Sequence, residues 1–220
     1  MVELIDLSHS IESGMVTYKG LPAPLICDYL SREASRKLYA AGTEFNIGKI
    51  EMVANTGTYL DSPFHRYAHG KDLSQLPLES LAGLDCVVAH IEPGALRAID
   101  ALPFTAAEVR GKAVLFHTGW DRHWRTDAYF ENFPYLSATL AQWLLDAGAA
   151  LVGIDSHNID NTDTGERPVH SILLGSDVPI VEHLRGLESV PQRGSKFFAV
   201  PPKVKGFGTF PVRAFAAVSR

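Results

Sequence analysis

Cysteine is nearly absent from this sequence: Cys27 and Cys86 are the whole supply in 220 residues. They lie far apart and make no CxxC pair, which argues against a disulfide framework and for a reducing, cytoplasmic setting. Both sit in apolar stretches, LICDYL and LDCVVAH. Buried thiols are therefore expected, since a nucleophilic cysteine needs an electropositive niche. No apolar run reaches the length of a membrane span. The opening MVELIDLSHS carries Glu3 and Asp6 and lacks the basic and long apolar segments of a signal peptide. A basic stripe is missing too. Lys and Arg number 20 against 25 Asp and Glu, for a net charge of −5. Nucleic acid, which needs clustered cations to meet its phosphates, is not an expected partner. There is no internal repeat, low-complexity tract or linker-like stretch, so one domain over residues 1–220 is the expectation.

What remains is an ordinary globular composition, 46% hydrophobic and 20% charged, in a chain long enough to bury a sizeable core. Short apolar runs read as strands: VELIDLS, GKIEMVA, DCVVAHI, GKAVLFHTG, AALVGID and FPVRAFAAV. AVLFHTG and AALVGID are continuous apolar runs, the pattern of strands buried on both faces. SATLAQWLLDAG predicts a helix with Ser137 as N-cap, Gly148 as C-cap, and Leu140, Trp143, Leu144 and Ala147 on one face. PIVEHLRGL predicts a shorter helix opened by Pro179, and SREASRKLYAAG a third. Strands alternating with helices give an α/β fold, a mixed sheet with packed helices.

Two polar stretches interrupt these elements. NTGTYLDSPFHR, from Asn55 to Arg66, follows the apolar GKIEMVA. Its Asp61 and His65 read as a metal-ligand pair, as a base with its orienter, or as a polar loop bonding its own backbone. GIDSHNID presents Asp155, His157, Asn158 and Asp160 at a strand end, and His170, Glu182 and His183 follow. Carboxylates and imidazoles gathered this way suit Zn or Mn. Glu182 and His183 are adjacent, so one of them at most faces a shared site. Trp120, Trp124, Tyr129, Phe130 and Tyr135 could wall a pocket for a flat ring or pack the core. His117 and Arg66 could meet a carboxylate.

These segments resemble the cyclase family of metal-dependent hydrolases, which includes bacterial kynurenine formamidases and isatin hydrolases. IDLSHSIESGM, GTYLDSPFH, GKAVLFHTGWDRHW, LVGIDSHNID, VHSILLGSDVPIVEHL and PPKVKGFGTFPVRAFA occur in family order and span nearly the whole chain. GTYLDSPFH is similar to the signature HxGTHxDxPxH. The resemblance implies a swivelling β/β/α fold and a homodimer or homotetramer acting on a small molecule. It implies a divalent metal, Zn or Mn, held by Asp61, His170 and Glu182, with His65 acting close to the reacting water. The chain departs from the signature at two positions: Asn55 and Tyr59 stand where the two leading histidines are expected. An Asn carbonyl is a weak ligand, and Tyr binds a metal tightly only as phenolate. Three readings follow: a metal site short of two nitrogens, a metal-free site working through Tyr59, Asp61 and His65, or a small-molecule-binding relative without catalysis. The leading expectation is a hydrolase that cleaves the C–N bond of an amide or cyclic amide. In it His65 is general base, Tyr59 donates to an oxyanion, and Asn55 and Arg66 contact substrate.

Overall fold

The computed structural model describes residues 1–92 and 97–219. The chain enters through strand β1 (Val2–Asp6), then β2 (Leu25–Leu30), the single turn α1 (Arg32–Ser35), β3 (Ile47–Glu51) and β4 (Tyr59–Asp61). The central part alternates strand and helix: β5 (Ala82–His90), β6 (Ala98–Ile99), α2 (Ala106–Val109), β7 (Ala113–His117), β8 (Tyr135–Leu136), α3 (Ala138–Ala147), β9 (Leu151–Ile154), α4 (Pro168–Leu174) and β10 (Ile180–Glu182). Three strands close it: β11 (Ser195–Phe198), β12 (Thr209–Pro211) and β13 (Phe215–Ser219).

Nine strands make one mixed sheet in the order β1-β13-β11-β5-β7-β9-β10-β4-β12. Its centre, β5-β7-β9-β10, is parallel, as crossovers through helices require, and its flanks are antiparallel. Every residue of β9 and four of the five in β7 are buried, which confirms the continuous apolar runs as strands covered on both faces. Alternate side chains serve two cores. Val114 and Phe116 pack with Leu140, Leu144, Val169 and Leu173 under α3 and α4. Ala113 and Leu115 pack with Leu60, Val181, Phe197 and Ala216, which come from the middle and both flanks of the sheet. The sheet therefore curls around that second core.

Helix α3 forms where its caps predict. Ser137 Oγ accepts the Leu140 N–H at 3.2 Å, and Gly148 adopts φ 82°, the left-handed turn that a Cβ would strain. Leu140, Ala141, Leu144 and Ala147 are buried, and Trp143 lies at the edge of the core. Burying Leu140 and Leu144 contributes about 1.5–3 kcal/mol each.

Four local expectations are corrected. PIVEHLRGL is not a helix; Ile180–Glu182 forms β10, because an apolar run that follows α4 finds β9 open as a parallel partner. SREASRKLYAAG is helical over Arg32–Ser35 alone, with Ser31 as its N-cap. The signature stretch is not a loop throughout: Tyr59–Asp61 is a sheet strand, and Pro63–His65 a 3₁₀ turn begun by proline. Cys27 is exposed, on β2, while Cys86 is buried and burial pushes its thiol up to about 12. Among the described residues β2 pairs only with β3, as a separate antiparallel ribbon. No helix among the described residues is long and apolar enough to cross a membrane.

Candidate functional site

The site is built by strand register. β4 lies between β10 and β12, with Tyr59 opposite Glu182 and Asp61 opposite Thr209. Side chains two apart share a face, so Tyr59 and Asp61 project together while Leu60 turns to the second core. Each opposed pair is hydrogen-bonded. Tyr59 Oη donates to Glu182 Oε2 at 2.6 Å, and Thr209 Oγ1 donates to Asp61 Oδ1. The Ile159 N–H donates to Glu182 Oε1 at 2.6 Å.

His170 arrives from the first turn of α4. Asp160 caps that turn from outside, accepting the Val169 N–H at 2.8 Å and the His170 N–H at 3.0 Å. The same carboxylate meets His170 Nδ1 at 2.7 Å. That contact fixes the ring and turns Nε2 toward Asp61 Oδ2 and Glu182 Oε1, each 3.7 Å away. His65 comes from the 3₁₀ turn, which packs against Gly208. Thr209 Oγ1 lies 2.8 Å from His65 Nδ1. The threonine hydrogen is committed to Asp61, so His65 Nδ1 donates in that contact, which leaves Nε2 outside it.

Burial and charge set the protonation of these groups. Burial would lower the His170 pKa, but the Asp160 hydrogen bond and the Asp61 and Glu182 carboxylates outweigh it and raise it to about 10. Burial raises Glu182 to about 7, against the pull of His170. Burial works upward on Asp61 as well, yet His65 and His170 hold its carboxyl below the usual range. Tyr59, fully buried and next to Glu182, is pushed well above 10 and stays a phenol.

A divalent cation fits these residues. Asp61, His65 and His170 each offer a donor atom, and these atoms lie within 4.8 Å of one another. Asp61 Oδ2 is buried and has no hydrogen-bond partner, an orphaned acceptor aimed at His170 Nε2. The Glu182 oxygen 3.7 Å from the same nitrogen adds a further donor. The mix of carboxylate oxygen and imidazole nitrogen suits Zn or Mn.

Asp61, His65, His170 and Glu182, spread over more than 120 residues of chain, thus converge. Tyr59, His65, His170 and Glu182 line a cleft of about 490 Å3, together with Asn55 and Arg66. Arg66 Nε reaches Ser171 Oγ at 3.3 Å, and its guanidinium lies over Tyr67. Trp120, Trp124, Tyr129, Phe130 and Tyr135 do not wall this cleft. Tyr129 is buried, and Trp124 stacks on His9 with ring centroids 3.9 Å apart, beside a separate depression of about 800 Å3. His117 also lines that depression, its Nδ1 2.8 Å from His90 Nδ1. Of the GIDSHNID cluster, Asp155 accepts from the backbone of Thr118 and Gly119, while Asp160 holds His170. His183, at φ 57°, packs its ring edge-on to Tyr59 and stays out of the cleft. Sequence reasoning missed Thr209, Tyr18 and the orienting role of Asp160. Thr209 sits in an unremarkable GFGTFP, and only the β12–β4 pairing reveals it.

Residues 5–161 match the model of the Cyclase family. A kynurenine formamidase of Salinibacter ruber is 33% identical over 218 residues, 96% of this chain and 95% of that protein. A solved structure described as a potential metal-dependent hydrolase with cyclase activity superposes with a TM-score of 0.79 at 25% identity, covering 100% of both chains. Isatin hydrolase A from Labrenzia aggregata shares the fold, with a TM-score of 0.80 at 18% identity over 100% of this chain and 94% of that one.

Proposed function

Because this chain belongs to the Cyclase family, we propose that it hydrolyses the C–N bond of an amide or cyclic amide, arylformamides foremost, with a divalent metal. The kynurenine formamidase likeness supports the substrate class. The observation that carries the metal is the buried Asp61 Oδ2, which accepts no hydrogen bond among the described residues and faces His170 Nε2. Asp61, His170 and Glu182 would hold the ion. Zn or Mn bound there supplies Lewis acidity, lowering the pKa of a water and polarising a carbonyl.

The chain's own groups do the rest. His65 takes the proton of the attacking water at Nε2, the lone pair that its Nδ1 contact with Thr209 leaves open. It returns that proton to the leaving nitrogen, so amide and water become acid and amine. Asp160 keeps His170 oriented, and Tyr59 and the Ile159 N–H keep Glu182 oriented. Asn55 and Arg66, on the cleft wall, contact the substrate.

The test is metal analysis of protein purified without chelator, alongside assays on aryl formamides and cyclic amides. Near-stoichiometric metal, lost with Asp61→Ala, and turnover abolished by chelator are expected. Turnover indifferent to chelator would overturn the metal. A second reading, a metal-free binding relative, is favoured by one observation: His170 already lies against both Asp61 and Glu182 and offsets part of their negative charge. Ligand-induced stabilisation without product or metal would select it.

We propose a homodimer or homotetramer as well. The β2–β3 ribbon exposes Leu25, Ile26, Tyr29, Ile47 and Ile50. A lone two-stranded ribbon is marginal in water, and such a patch calls for cover.

A further inference from the structure

Resting on the amide-hydrolase reading, we propose that Tyr18 is a catalytic residue, whose hydroxyl donates to the substrate carbonyl oxygen as it becomes an oxyanion. Tyr18 lies between β1 and β2 and lines the same cleft as Tyr59, His65, His170 and Glu182. Its ring rests on His157, centroids 4.4 Å apart.

The direction of its hydrogen follows from its neighbours. Asn158 Oδ1 accepts the Asp160 N–H at 2.9 Å, which turns the amide nitrogen of the buried Asn158 toward Tyr18. Asn158 Nδ2 donates to Tyr18 Oη at 3.1 Å. One phenol lone pair is thus taken, and no acceptor among the described residues takes the phenol hydrogen. The other phenol in the cleft, Tyr59, has given its hydrogen to Glu182. A hydrogen bond from Tyr59 to a substrate oxygen would leave that carboxylate oxygen without it, whereas one from Tyr18 costs no existing contact.

Tyr18 also keeps its proton. Burial first, then the charge of Glu182, pushes its pKa up to about 12. The chain Tyr18–Asn158–Asp160–His170 ties this donor to the ion-holding histidine through 3.1, 2.9 and 2.7 Å contacts. A donor so fixed needs no reorganisation when charge appears on the carbonyl oxygen, the condition under which such groups act most strongly.

The experiment compares Tyr18→Phe with the parent holoenzyme on formanilide and on its thioformyl analogue. Removal of one oxyanion donor lowers kcat by about 10²-fold in related chemistry. The expected result is a loss of that order in kcat on formanilide, KM within about threefold, unchanged metal content, and a clearly smaller preference for oxygen over sulfur. A purely structural role for Tyr18 would not alter that preference. If the Phe variant fails to fold, Asn158→Ala, which releases the hydroxyl from its anchor, is expected to lower kcat by about tenfold at constant KM. A kcat within about threefold of the parent in the folded variant overturns the assignment and leaves amide hydrolysis standing. A parent that turns over no amide overturns both.

Discussion

A divalent cation entering between Asp61, His170 and Glu182 should expel about one proton at pH 8. The ordinary pKa of His170, 6.5, is raised to about 10. Its protonated form therefore adds stability that is complete below pH 6.5 and is lost as pH rises through about 10. The cation needs the same Nε2 that the proton occupies. At pH 8 the ring is about 99% protonated, so nearly every binding event displaces a proton, and affinity rises about tenfold per pH unit from pH 7 to 9. Glu182, raised to about 7, adds to this at lower pH. Near pH 6 it too carries a proton, and release should approach about two. Titration calorimetry of Zn or Mn in buffers of different ionisation enthalpy reads the proton count directly. Asp160→Asn removes the contact that contributes most to raising His170. The pH at which release falls to half a proton, about 10 in the parent, should therefore move down. Affinity that does not change with pH, or the same half-release pH in parent and Asp160→Asn, would refute the argument.

His65→Ala should keep the metal and lose turnover by about 10²-fold or more; metal content well below the parent's would instead make His65 a ligand, as its place among the clustered donors allows. Gly208→Ala would bring a Cβ within 2.5 Å of His65 N and 2.6 Å of its Cα. Backbone must shift to admit it, so a stability loss of about 1–3 kcal/mol and at least tenfold lower turnover are expected from melting curves and assays; a variant with parental turnover would show that His65 tolerates displacement. Tyr29→Lys with Ile50→Lys should reduce the molar mass seen by light scattering, and a parent that is already monomeric would contradict the assembly.

Much of this structure could be read along the chain, and what could not has a common cause. Helix α3 announced itself because its caps and buried face are local: Ser137, Gly148 and a 3.6-residue period lie within twelve positions. β7 and β9 announced themselves because burial on both faces leaves an unbroken apolar run. PIVEHLRGL failed because a three-residue strand has no period, and its conformation is decided by β9 and β4 alongside it. Cys27 defeats the expectation because LICDYL is apolar enough for a core, yet among the described residues its strand pairs only with the one in GKIEMVA. Asp61, His65, His170 and Glu182 stand out in their polar stretches, and the family order of the segments joins them into one site. Thr209 was invisible for a physical reason: it lies 148 residues from Asp61 in sequence, and nothing local marks a threonine as the partner of a distant carboxylate.

The two exchanged signature positions acquire different meanings once the register is known. Asn55 stays on the cleft wall, where a polar side chain can meet a ligand. Tyr59 is fully buried, its ring against His183 and its hydroxyl on Glu182. A phenol held well above its ordinary pKa does not offer the phenolate that a metal would bind. What it offers is a short hydrogen bond to a carboxylate, a kind of contact that contributes about 1.5–3 kcal/mol. That contact comes from the residue directly opposite Glu182 in the antiparallel register. It takes Oε2, the Ile159 N–H takes one lone pair of Oε1, and what Oε1 has left faces His170 Nε2. The exchange therefore converts a ligand position into an orienting one. Because Tyr59 and Asp61 share a face of β4, the same strand that orients Glu182 presents the orphaned Asp61 oxygen beside it. The consequence is a Glu182 carboxylate held by two hydrogen bonds with one oxygen turned to His170.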